Sequence, residues 1–386
     1  MQWVVPDPAP SPPTPEALQS ISAAIEARPA LPALRAFRAG MAMRLGRPDD
    51  AITDFAAAMA MDPRGTDYMA QIATCHLRAG RPDKALKTCD SRIPGNPDPA
   101  WNLQRGRALL RLGRVAEGQA ELARALQAED PGFSALRSLL PTYGRDGDGG
   151  ALLAFCDSLE PRHAETAGAR GYRAVAFSLL GRTQDALDLV DLDRCIVRIP
   201  FAPPSAFGGI EGFNRALTDE VLAQVPAGAS TDRHVDYLTT VRPDPARTAL
   251  MVFVRSAVED YVARIPERGL GTAMPFVPQV AELTSGSVVL RGDAGQAEHL
   301  HPTSYLSCVY HVAVPGSAAA PDGGALSVGG CASHFAGHQP VWGTRTIMPE
   351  PGWLTLIPSH IFHSVLPTRS REPRITVPSD VRPIRR

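Results

Sequence analysis

Residues 296–315 read "QAEHLHPTSYLSCVYHVAVP". Two histidines, His299 and His301, stand two apart just before an apolar run rich in β-branched and aromatic residues. Residues i and i+2 of a strand point to the same face, so both imidazoles would reach one point. A metal ion would explain the pair. So would two solvated strand histidines, or a hydrogen-bonded pair, and the stretch alone does not separate the three.

The surroundings supply the context. "SGSVVLRG" (285–292), "GALSVGG" (324–330), "GWLTLIPS" (352–359) and "PRITVPSD" (373–380) are short, apolar and bounded by Gly, Pro or Ser. Together with the run after His301 they predict a series of strands, and hence an antiparallel sandwich or barrel. Two helices are predicted ahead of them. "IEGFNRALTDEVLAQV" places Ile210, Phe213, Leu217, Val221 and Leu222 on one face, and "TALMVFVRSAVEDYVARI" spaces Val254, Val258, Tyr261 and Ile265 by four, three and four.

A third histidine, His363, lies 62 residues after His301 in "IPSHIFHSVLPTRSREPRITV", and Arg374 lies 11 after His363. Thr376 follows Arg374 by two, so on a strand the two face the same way. This order resembles the iron(II)- and 2-oxoglutarate-dependent oxygenases. Those carry His-x-Asp/Glu on an early strand, a second His late, and an Arg or Lys roughly ten residues further on. The segments "HLHP", "SYLSCVYHVAVP", "PGWLTLIPSHIFHSVLP" and "PRITV" are similar to those of the bacterial members that often follow tetratricopeptide repeats. The resemblance covers roughly residues 211–382.

The resemblance implies a double-stranded β-helix of jelly-roll or cupin-like form, with flanking helices. It implies His299, His301 and His363 as iron ligands, with open positions left for cosubstrate and dioxygen. It also implies Arg374, helped by Thr376, as the anchor for the distal carboxylate of 2-oxoglutarate, since a guanidinium fork matches a carboxylate. Tyr310 is a candidate for the cosubstrate pocket and equally a core tyrosine. The reaction implied is hydroxylation of a C–H bond coupled to decarboxylation of 2-oxoglutarate, on a peptide or protein side chain or a small molecule.

One departure matters. Histidine stands at 301 where the family has a carboxylate, so either His301 ligates as a third imidazole or it stays back. Asp293 is a loop carboxylate nearby whose expected role is a turn. His334 and His338 are expected in a loop near the site mouth, since Gly337 and Pro340 oppose a helix, and His360 is expected to flank the site. Two other readings stay open: a three-histidine metalloenzyme not using 2-oxoglutarate, whether zinc hydrolase-like or dioxygenase, and a non-catalytic repeat scaffold.

The first half repeats itself. "RLGRPDDAI", "RAGRPDKAL", "RLGRVAEGQ" and "LLGRTQDAL" are one phrase, with glycines at 46, 80, 113 and 181, and "YGRDGDGGALLAF" is a degenerate copy. Five residues after each glycine stands a small residue: Ala51, Ala85, Gly118 and Ala186. Asp62-Pro63, Asn96-Pro97, Asp130-Pro131 and Glu160-Pro161 mark the same period. A helix ending at glycine, a close small-residue crossing and a proline-started next unit predict helix–turn–helix repeats. The period resembles the tetratricopeptide repeat, which implies a superhelix with a concave surface for a substrate or partner.

The expected organisation is therefore an α + β chain of two domains. Residues 1–33 form a proline-rich arm and a first helix, 34–195 the helical repeats, 196–210 a linker, and 211–386 the oxygenase-like domain. The bulk numbers fit: 386 residues, 44% hydrophobic, 20% charged. A net charge of −1 gives no electrostatic case for nucleic acid or an anionic membrane. Six cysteines without a Cys-x-x-Cys pair are expected as buried reduced thiols. The N-terminal stretch carries no basic region followed by a long apolar one, so a cytoplasmic protein without a signal peptide is expected.

Overall fold

A computed structural model describes residues 1–4, 15–62, 68–91, 99–128, 132–225, 233–236, 244–315 and 323–384. Two compact units result: Pro10–Thr142, and Met1–Ala9 together with Tyr143–Arg386. The proline-rich arm and the markers Pro63, Asn96, Pro97, Asp130 and Pro131 lie outside the described residues.

Helix pairs build the first unit: Pro32–Arg44 with Pro48–Met61, Met69–Arg78 with Pro82–Asp90, and Pro99–Arg111 with Val115–Leu126. The first helix of each pair stops at the repeated glycine. Gly46, Gly80 and Gly113 have φ of 71°, 70° and 77°, a left-handed turn that costs a glycine nothing. The arginine after each glycine then donates its N–H to a carbonyl five residues back: Arg47 to Ala42, Arg81 to His76, Arg114 to Leu109. Pro48 and Pro82 open the next helix. Ala51 and Ala85 have no exposed surface. A Cβ on Gly118 would lie 2.8 Å from Leu110 Cδ2, so the crossing needs a residue this small.

The same turn recurs in the second unit at Gly147 and Gly181, with φ of 79° and 68°. Gly147 lies 34 residues from Gly113 and from Gly181, so the degenerate copy keeps the period. Its helices are Gly149–Asp157, Ala167–Leu179 and Thr183–Leu189, and the last two send Ala174 and Leu189 into the core shared with the strands that follow. Tyr172 meets Phe335 and Phe362 edge-on at 5.4 and 5.5 Å between ring centres. The His360 ring donates to Leu189 O at 2.8 Å. The sequence changes period near residue 196, while the compact units part at Thr142 and Tyr143, because the last repeat buries its apolar face against the β-strands.

The strands in chain order are β1 (Gln2–Val4), β2 (Val197–Pro200), β3 (Arg233–Asp236), β4 (Val280–Ser285), β5 (Ser287–Gly292), β6 (Gln296–His299), β7 (Leu306–Ala313), β8 (Leu326–Val328), β9 (Arg345–Ile347), β10 (Trp353–Pro358), β11 (His363–Val365) and β12 (Ser370–Pro383). One sheet runs β1-β4-β12-β7-β10-β2, with β5 pairing the other half of β12 and also β3; the second runs β6-β11-β8-β9. All pairings are antiparallel except β1 with β4. Residues 197–200, within the expected linker, are thus an edge strand, pairing Trp353–Leu356.

The strand β7 is buried on both faces. Leu306, Cys308, Tyr310 and Val312 point into a core shared with Phe213, Leu217, Val254 and Val258 of the helices Ile210–Leu222 and Pro245–Ala263. Ser307, Val309 and His311 point the other way, between the sheets. Helical repeats ahead of a β-sheet domain with flanking helices are thus present as expected. All six cysteines are free and buried. Among the described residues no helix is long and apolar enough to cross a membrane.

Candidate metal centre

The second sheet brings the histidines together. His299 ends β6 and His363 begins β11, and the two are direct partners in the antiparallel pairing. His301 is not on the strand; it lies two residues past the end of β6, where its N–H donates to Ser359 O at 3.1 Å. Ring centres are 4.4 Å apart for His299 and His363, 5.3 Å for His299 and His301, and 5.1 Å for His301 and His363. One ligand atom from each lies within 4.8 Å of the other two.

Each Nδ1 already has an acceptor. His299 donates to Ala297 O at 2.8 Å, His363 to Ile361 O at 3.1 Å, and His301 to Asp380 Oδ2 at 2.7 Å. Carbonyls and carboxylates only accept, so Nδ1 carries a proton in all three rings and Nε2 is the nitrogen each ring has left to offer. Burial pushes His299 and His363 below the ordinary histidine range, and His363 also faces the other two rings. These two are therefore neutral at neutral pH, the form that binds a metal. Three converging imidazoles with Nδ1 tied down fit a three-imidazole metal site.

A cavity of about 460 Å³, its open mouth included, joins this cluster to the interior of β12. Val288, Leu326 and Val365 supply apolar wall. Arg374, Thr376, Pro378 and Asp380, alternate residues on one face of β12, line it, and Ser379 borders it as well. Arg374 has no exposed surface. Its Nη1 reaches Thr376 Oγ1 at 3.5 Å, and Nε and Nη2 have no partner. Burial lowers its pKa to about 10, so it is still a cation at neutral pH. Gly324, with φ of 73°, lets the loop pass beside it, since a Cβ there would sit 3.0 Å from Arg374 Cδ. A buried cation with unused donors fits an anionic ligand.

His334 and His338 lie outside the cluster of three. His334 donates to Glu298 O at 2.7 Å, and His338 meets Ser178 Oγ at 2.8 Å. Asp293 is in a turn and is not part of the cluster. Tyr310 points away from the cavity: its hydroxyl donates to Asn214 Oδ1 at 2.7 Å and its ring faces Phe201 and Phe213. Its neighbour His311 is on the cavity side instead, opposite Thr376 in the β7–β12 pairing. His311 is fully buried with neither ring nitrogen partnered, and Thr355, opposite Val309, has an unpartnered buried hydroxyl.

Sequence reasoning missed Asp380, Ser307, His311 and Thr355. The signal for Asp380 was available: the alternation that joins Arg374 to Thr376 continues through 378 to 380.

Residues 285–380 match the family described as "Putative 2OG-Fe(II) oxygenase". Residues 42–106 match the tetratricopeptide repeat family. The first of these matches spans all three histidines, Arg374 and Asp380. No curated protein matches the chain. Similar solved structures include a Pseudomonas putida prolyl-4-hydroxylase, at 14% identity and TM-score 0.34, covering 49% of this chain and 93% of that one. A Trichoplax adhaerens prolyl hydroxylase, solved with a hypoxia inducible factor peptide fragment, matches at 15% identity and TM-score 0.34, over 53% and 91%. A tetratricopeptide repeat protein from Parabacteroides merdae matches at 17% identity and TM-score 0.36, over 44% and 68%.

Proposed function

We propose that the second unit is an iron(II)- and 2-oxoglutarate-dependent dioxygenase that hydroxylates a peptide or protein side chain, or a small molecule, and that the helical repeats bind that substrate or a partner. The observation that carries this reading is the pairing, in one cavity, of three converging imidazoles with a fully buried guanidinium whose Nε and Nη2 have no partner. A three-imidazole hydrolase has no use for the second element. The family match over residues 285–380 supports the same cofactors.

The residues divide the work. His299, His301 and His363 would hold the metal, and three protein ligands would leave positions for cosubstrate and dioxygen. Arg374 and Thr376 take the distal carboxylate of 2-oxoglutarate. His311 and Thr355 lie on the same face as Thr376 and offer further polar atoms deep between the sheets. Val288, Leu326 and Val365 keep water from the space between anchor and metal. Bound iron(II), 2-oxoglutarate and dioxygen together supply the oxidation, giving succinate, carbon dioxide and a hydroxylated product. A cytoplasmic setting, with neither nucleic acid nor membrane as partner, is part of the proposal.

The test is anaerobic addition of iron(II) and then 2-oxoglutarate, following the weak visible charge-transfer band of the chelate. A band that needs both additions, and weakens in Arg374→Ala, supports the assignment. Tight iron binding with no band removes 2-oxoglutarate and leaves a three-histidine metalloenzyme. No metal binding leaves a repeat protein with a silent β-domain.

A further inference from the structure

The three histidines are not held alike. His299 and His363 donate Nδ1–H to backbone carbonyls, which are neutral. His301 donates to a carboxylate, Asp380 Oδ2, at 2.7 Å. Asp380 is itself placed by two neighbours. It pairs with Ser307 across β12 and β7, and its Oδ1 accepts from Ser307 Oγ at 2.9 Å. Ser307 Oγ also meets Ser359 Oγ at 2.8 Å, and the Ser359 carbonyl holds the His301 backbone. The carboxylate and the ring are thus set by one connected network, and Asp380 is not among the converging ligand atoms.

Charge gives the network a purpose. Three neutral imidazoles leave a divalent ion's charge uncompensated, and the same cavity already contains the Arg374 cation. Asp380 is the carboxylate lining that cavity. We propose that Asp380 is the positioning residue of the metal centre: through the Nδ1–H of His301 it delivers the negative charge that a carboxylate ligand would deliver directly. The His301–Asp380 pair is then the one anionic donor of the site. The inference rests on the metal reading above. On this inference His301 would ligate as a third imidazole, its ring oriented by Asp380.

Cobalt(II) titration into the metal-free full-length protein tests this, with the visible ligand-field bands and the dissociation constant as readouts. Asp380→Asn removes the charge and keeps one oxygen able to accept from His301, with the amide NH2 then facing Ser307 Oγ, a hydroxyl that can also accept. The expected result is a ~10- to 100-fold loss of cobalt affinity and a shift of the bands, with the melting temperature of the metal-free protein preserved. The second arm places Asp380→Asn in a His301→Ala background, where its effect should vanish if Asp380 acts through His301. Wild-type affinity in Asp380→Asn, or tighter binding because His301 had been held back, overturns the inference while the metal site stands. An undiminished effect in the His301→Ala background overturns it too. Wild-type protein that binds no cobalt overturns the metal reading and the inference with it.

Discussion

Replacing Arg374 by methionine is expected to raise the stability of the metal-free protein and abolish its response to 2-oxoglutarate. The two effects have one cause. Arg374 is wholly buried, carries its charge at neutral pH, and leaves Nε and Nη2 without partners. A buried ion kept without an adequate partner costs several kcal/mol, and apolar replacement of buried charges has stabilised proteins by ~1–4 kcal/mol. Methionine fills much of the same volume without a charge. At ~2–4 °C per kcal/mol for a unit of this size, the melting temperature should rise by several degrees. With ligand the sign reverses. Two charge-assisted hydrogen bonds at ~1.5–3 kcal/mol each amount to ~10²- to 10⁴-fold in affinity. Thermal unfolding with manganese(II), with and without 2-oxoglutarate, reads both quantities. Ligand at ~100 times its dissociation constant should stabilise wild type by ~2.7 kcal/mol and the variant hardly at all. A methionine variant that is less stable without ligand, yet still stabilised by 2-oxoglutarate, would refute the reasoning at both steps.

Two further outcomes follow from the packing of the last helical repeat on the β-strands. Burial, above all, lowers the pKa of His360 to about 4, against ~6.5 in the unfolded chain. Between those values the unfolded state binds a proton that the native state does not, so stability falls as the pH falls, by ~2 kcal/mol at pH 5. Urea unfolding at pH 7 and pH 5 should show that loss shrinking by a similar amount in His360→Gln; an unchanged loss would mean that His360 charges without cost in the fold. Gly171→Ala would drive a methyl into the His360 carbonyl and to 2.8 Å from Leu300 Cδ2. Leu300 sits between His299 and His301, so this substitution should cost ~1–3 kcal/mol and also weaken cobalt binding, whereas loss of stability with full cobalt affinity would uncouple the helix from the site.

What could be read from the sequence followed local rules. The glycine turns were legible because a left-handed residue demands glycine, and each sits at a fixed distance from a small residue that the helix crossing demands. Strands with clear boundaries, such as β5, β7 and β10, were legible for the same reason. The short strands β8, β9 and β11, of three residues each, carry too little pattern to show a period, although "GALSVGG" did mark β8. The placement of residues 149–189 against the β-strands was hidden, because it depends on the Tyr172, Phe335 and Phe362 contacts made across more than 150 residues of chain. Tyr310 and His311 illustrate the limit at the site itself. Adjacent strand residues face opposite ways, and β7 is buried on both sides, so burial does not say which of the two looks into the cavity.

That ambiguity disappears on β12, and the reason bears on how the site works. Arg374 and Thr376 are candidates for the cosubstrate, and Asp380, four residues beyond Thr376, carries the acceptor for His301. All line one cavity from a single strand, which β5 holds at Arg374 and β7 holds from Ile375 to Val381. The strand rises ~3.3 Å per residue, so six residues separate Arg374 and Asp380 by ~20 Å at full extension and less along a twisted, bulged strand. The register shift between Ile375 and Thr376 lies between the two groups. On the proposed reading, the cation for the far carboxylate and the carboxylate behind the metal are carried by one strand, six residues apart. A dicarboxylate held by its far end at Arg374 would be directed toward the metal cluster by the same strand that orients His301. Shifting the register of β12 by one residue would turn Arg374, Thr376 and Asp380 away from the cavity together, which is why the pairing of this strand, more than any single ligand, determines whether the chain has a site at all.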